Sequence, residues 1–134
     1  MILYQNSLMQ LNLEPANSLI EVNWPNFESY SEDDTKLALS RLVNTVKTYE
    51  VKKLLVDASN AKLKPETESY EEIIKHFATL LQESKLEKIA RLVTDDPERE
   101  TRSKQLQKHI PSTIQIQNFE DVTDARTWLL DQEN

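Results

Sequence analysis

Asp57, Asp95 and Asp96 are the residues whose type and setting come nearest to chemistry. Each follows an apolar run that reads as a strand. The three are therefore expected at the carboxyl ends of adjacent strands, where open α/β sheets hold their ligands. Grouped there, they could bind a hard cation such as Mg²⁺, which takes carboxylate oxygens and keeps several waters. The same residues also suit plain structural work. Asp95 or Asp96 before Pro97 is a helix cap followed by proline at the first helical position, and Asp57 can order its loop. The structural roles are preferred, and no metal site is assigned.

Arg91 interrupts an apolar strand. It could bind an anionic group in the cleft, or pair with a carboxylate, or lie at a sheet edge. Arg99, Arg102, Lys104 and Lys108 follow on a polar segment and could recognise a phosphate. Glu98 and Glu100 dilute that charge, so a solvated face is the simpler reading. The two histidines, His76 and His109, stand in no metalloprotease spacing, and no motif ties a serine or carboxylate to either. No catalytic residue is assigned, and a non-enzymatic chain is expected.

Composition narrows the classes further. A net charge of −7 over 134 residues disfavours nucleic acid, which selects basic surfaces. Without cysteine there are no disulfides or thiolate metal sites. Glycine is also absent. Walker A loops and dinucleotide-binding turns need glycine for close approach to phosphate, and the serine-nucleophile elbow needs it for a sharp turn, so all three are excluded. No apolar run approaches membrane-spanning length. The opening Met-Ile-Leu-Tyr-Gln-Asn lacks the basic and apolar regions of a signal peptide. A cytoplasmic chain without a cofactor is expected.

The elements that must position these residues can be read in order. Residues 2–4 and 7–13 suggest two short strands. Glu14-Pro-Ala-Asn17 suggests a turn, with Asn17 suited to the left-handed conformation. Ser18 to Trp24 alternates, with Ile20, Val22 and Trp24 on one side and Leu19, Glu21 and Asn23 on the other. Trp24, Phe27 and Tyr30 then close the core end, the preferred reading, or line an apolar ligand pocket or a partner surface. A helix over 32–48 carries Leu39, Leu42, Val43, Val46 and Tyr49 at helical spacing.

Leu54-Leu55-Val56, bounded by charge, suits a strand buried on both faces. A second helix, 66–84, carries Tyr70, Ile73, Ile74, Phe77 and Leu81. A strand at 88–94 offers Ile89, Leu92 and Val93 to the core. The helix at 97–108 has Leu106 as its single apolar residue, so packing can hold it only weakly. A strand at 113–117 presents Ile114 and Ile116 together. A last helix, 121–131, should turn Val122, Ala125, Trp128 and Leu129 inward. The order β-β-β-α-β-α-β-α-β-α implies an α/β fold, one mixed sheet flanked by helices in a single domain.

That order, together with Lys53-Lys-Leu-Leu-Val-Asp-Ala-Ser59 and the ending Phe119-x-Asp121-x-x-x-Ala125-x-x-Trp128-Leu129, resembles the STAS-like domains of bacterial anti-sigma-factor antagonists. It is most similar to their glycine-poor SpoIIAA-like branch, whose architecture is shared with CRAL-TRIO lipid-transfer domains. The resemblance implies a regulatory module that binds another protein. It implies a phosphoacceptor at Thr67 when the chain is aligned on the central strand, or at Ser59 when Asp57-Ala58-Ser59-Asn60 is taken as the motif. The lipid-transfer side implies an alternative, a carrier or sensor of a small apolar ligand. A monomer or homodimer fits either.

Overall fold

An apolar triplet between charged ends must be covered above and below, and Leu54-Leu55-Val56 is covered on both sides. The computed structural model describes residues 2–5, 10–23, 32–57, 68–93, 101, 104, 105 and 107–131. The strands are β1 (Ile2–Gln5), β2 (Gln10–Glu14), β3 (Leu19–Asn23), β4 (Lys53–Asp57), β5 (Lys88–Leu92) and β6 (Gln115–Phe119). The helices are α1 (Glu32–Thr48), α2 (Glu68–Leu81) and α3 (Val122–Leu130). The fold is the expected α/β arrangement, a mixed sheet with helices on its faces.

Among the described residues, six strands lie side by side in sequence order. β1, β2 and β3 form an antiparallel meander, while β3 to β6 are parallel. Sequential order has a direct consequence for the layers. Parallel strands are joined by right-handed crossovers, and crossovers that keep advancing in one direction all fall on one face. α1 and α2 accordingly share a face. Leu39, Leu42, Val43, Val46, Ile74, Phe77 and Leu81 pack there against Leu11, Leu13, Ile20, Val22, Leu54, Val56 and Ile89. Ile110 and Ile116, at the β5–β6 connection and on β6, join the same cluster.

The opposite face receives α3, which follows the last strand. Its Ala125 and Leu129 meet Leu19, Leu55 and Ala90 in a much smaller cluster. Asp121 caps α3, accepting from the Thr123 N–H at 2.9 Å. The half-buried Phe119 and Trp128 rings extend this cluster, tilted with centroids 5.7 Å apart.

Sharp turns are made without glycine. Ser18 (φ 51°) and Glu50 (φ 52°) take left-handed backbone, which costs a side-chain-bearing residue about 1–2 kcal/mol. At Glu50 this ends α1: the Val51 N–H donates to the Val46 carbonyl and the Glu50 N–H to that of Lys47. Buried Val46 and Val51 accompany the motif. The two residues also meet, the Ser18 hydroxyl donating to the Glu50 carbonyl at 3.3 Å. The Lys52 and Lys53 N–H groups then donate to the Ser18 carbonyl and start β4 beside β3.

Several expectations need correction. The left-handed residue of the first turn is Ser18, because Pro15–Asn17 form a short 3-10 turn that ends one residue later. Tyr49 is 50% exposed, since α1 stops before its position would face the core. Val122 is 42% exposed because the first turn of α3 overhangs the sheet. Leu92 and Val93, expected in the core, are only partly buried. The last strand begins at Gln115 rather than Thr113, the Ile114 N–H being taken up in a turn with the Pro111 carbonyl. Trp24, Phe27, Tyr30, Leu106 and the side chains of Tyr70 and Ile73 lie outside the described residues.

Candidate functional site

The register places two rows of residues at the carboxyl ends of the parallel strands. One row is Asn23, Asp57, Leu92 and Phe119. Leu92 and Phe119 pack with the smaller cluster, so paired Asn23 and Asp57 share the α3 face. One step back, the row Val22, Val56, Arg91 and Asn118 lies on the α1–α2 face. Asp57 and Arg91, both expected at the cleft, therefore sit on opposite faces. They can cooperate only around the end of the sheet.

Arg91 is 9% exposed on an interior strand, which rules out the sheet-edge placement. Its register neighbours are apolar Val56 and polar Asn118. The Asn118 Oδ1 accepts from Gln107 Nε2 at 3.0 Å. Neither Asp57 nor Arg91 is without a partner within the protein.

Ser59, Thr67, Asp95, Asp96, Arg99 and Arg102 lie outside the described residues. Helical backbone is present at 101, 104, 105 and 107, within the segment expected to be helical, and Thr101, Lys104 and Gln105 are exposed there. Lys108 is exposed as well. His76 is exposed on α2, whereas His109 is half-buried and engaged. Among the described residues no three His, Asp or Glu side chains group as a metal site. No helix among them is long and apolar enough to cross a membrane.

Two polar constellations were not legible in the sequence. Lys88 opens β5 yet is 8% exposed. Its ammonium donates to the Trp128 and Asp131 carbonyls, both at 3.0 Å, and lies 5.1 Å from the Trp128 ring centroid. A cation there meets the negative end of α3. The second constellation is Arg126, whose Nη2 lies 2.8 Å from both carboxylate oxygens of Glu14. Its Nη1 is 3.8 Å from Glu21. Only the identity of Lys88 as the first residue of a parallel strand hinted at the former, and nothing short of the register revealed the latter.

Among the described residues the face carrying α3 is unevenly covered. α3 packs on β5, β4 and β6 and reaches β2 and β3 through Arg126. β2 and β3 turn Gln10, Asn12, Glu14, Glu21 and Asn23 to that side, where all five retain solvent contact. No protein-family model matches the chain, and no curated protein or solved structure is found similar to it.

Proposed function

We propose that this chain is a non-enzymatic regulatory module that acts through contact with another protein, on the polar α3-side surface of β2 and β3. The observation that carries the reading is the uneven cover of the sheet. Gln10, Asn12, Glu14, Glu21 and Asn23 form a solvent-contacting, hydrogen-bonding surface on rigid strands. Such a surface suits the polar component of a protein interface. The resemblance to antagonist-like STAS domains supports the same role. The alternative, a carrier of a small apolar ligand, would use the core rather than this face.

A photoreactive side chain at Asn23 tests the proposal, with one at exposed Glu83 as control. In extract of the cells that make the protein, position 23 should give one discrete protein adduct and position 83 none. Asn23→Arg should then weaken binding of that purified protein at least tenfold. Equal adducts at both positions would refute the reading. So would an apolar ligand retained in native mass spectra without any position-23 adduct.

A further inference from the structure

Among the described residues β6 is the last strand of the sheet, and its outer side is a row of main-chain groups. The Gln115 N–H donates to the Glu87 carbonyl, and the Phe119 carbonyl accepts from Val93, both at 2.9 Å. In a parallel ladder alternate residues face the neighbouring strand. Gln115, Gln117 and Phe119 therefore turn toward β5, and Ile116 and Asn118 turn their N–H and C=O groups outward. Natural edge strands are commonly blunted by charge, proline or a bulge. β6 is Gln-Ile-Gln-Asn-Phe, with none of these, in unbroken register with β5. The other edge differs, because the β1–β2 register shifts between Ile2 and Tyr4.

We propose that β6 is a self-association surface on which a second copy of this chain lays its own β6 antiparallel, joining two sheets into one. A two-fold axis at Gln117 sets Ile116 opposite the second Asn118. Each such pair exchanges two main-chain hydrogen bonds, so all four outward residues of the two copies are satisfied. Gln117 meets its own copy as a close, non-hydrogen-bonded pair, and Gln115 meets Phe119. The charge pattern selects a like partner. Two chains of net charge −7 repel, yet residues 110–119 carry no charge. The first acids beyond them, Glu120 and Asp121, fall opposite Ile114 and Thr113 of the other copy rather than opposite each other. α3 packs mainly over β5 and β4, away from this edge. The half-buried Ile116 and Phe119, one on each face of β6, gain cover from the second sheet.

The absence of cysteine makes the test direct. A close antiparallel pair has a Cα separation near 4.5 Å, within disulfide range. Full-length Gln117→Cys should oxidise rapidly to a covalent dimer. Ser112→Cys, exposed on the preceding turn, should do so at least tenfold more slowly. Light scattering of wild type should give twice the 15.6 kDa chain mass at high concentration. Gln117→Lys should shift it to monomer, because like charges then oppose, and mixing with Gln117→Glu should restore the dimer. Monomeric wild type, open-ended polymers, or equal oxidation of the two cysteine variants would overturn the proposal.

Discussion

Replacing Lys88 by methionine keeps the apolar stem and removes the ammonium that holds the end of α3. Two hydrogen bonds are lost, to the Trp128 and Asp131 carbonyls. Hydrogen bonds to a charged group contribute about 1.5–3 kcal/mol each. Their sum overstates the effect for two reasons. Removing a nearly buried ammonium also recovers its desolvation cost. Asp131 is exposed, so its carbonyl can return to water. The carbonyl of Trp128, whose own side chain is half-buried, and the contact with its ring are the parts water replaces poorly. A net loss of about 1–3 kcal/mol is expected. With a slope of about 1–3 kcal/mol per molar urea, the midpoint should fall by roughly 1 M at unchanged slope. Lys53, beside Lys88 in the same register row, is only partly buried and makes no comparable carbonyl contacts among the described residues. Lys53→Met should change stability by less than about 0.5 kcal/mol. Equal or greater stability of Lys88→Met would refute the reasoning. It would mean that burying the charge costs more than its bonds return, and that the apolar contacts of α3 and its Arg126 ion pairs hold the helix without Lys88.

Leu55→Asp should abolish cooperative unfolding, since Leu55 is fully buried under α3 and an unpaired carboxylate there costs several kcal/mol; a melt within a few degrees of wild type would contradict this. Glu50→Gly should stabilise by about 0.5–1 kcal/mol, relief of the left-handed strain exceeding the added freedom of the unfolded chain. The Lys85–Glu50 ion pair lost with it is exposed and contributes little. Calorimetry showing a lower Tm would argue against the strain. A double-mutant cycle on Arg126 and Glu14 should give a coupling of about 0.5–1 kcal/mol that shrinks with added salt, since both groups are partly exposed. Salt-independent coupling would show that the pair is shielded from solvent.

The sheet was legible in the sequence because its signals are local. Leu54-Leu55-Val56 needed only its charged boundaries to read as two-sided, and the spacing of Leu39, Leu42, Val43 and Val46 gave α1 its bounds. Tyr49 and Val122 kept the helical spacing but lie where their helices leave the sheet, and periodicity does not reveal where cover ends. The candidate site was less accessible. Asp57 and Arg91 looked like neighbours because both are near the ends of consecutive strands. A one-residue offset in register puts them on opposite faces, since strand side chains alternate. Lys88 and Arg126 find partners 40 or more residues away, and no local pattern encodes such a distance.

The sequential strand order also governs how the chain assembles during synthesis. Each described strand after β1 pairs with the one made just before it, so this sheet can form as the chain emerges, with no described strand inserted late between earlier ones. Cover arrives unevenly in time. α1 and α2 precede β5 and can shield their face early. Leu19, Leu55 and Ala90 must wait for α3, whose nine residues follow all six of these strands. Until then a nascent sheet presents an apolar row to solvent or to other nascent chains. Ribosomal pausing before residue 122 would prolong that exposure, and a stop at that point would leave a sheet with one sticky face.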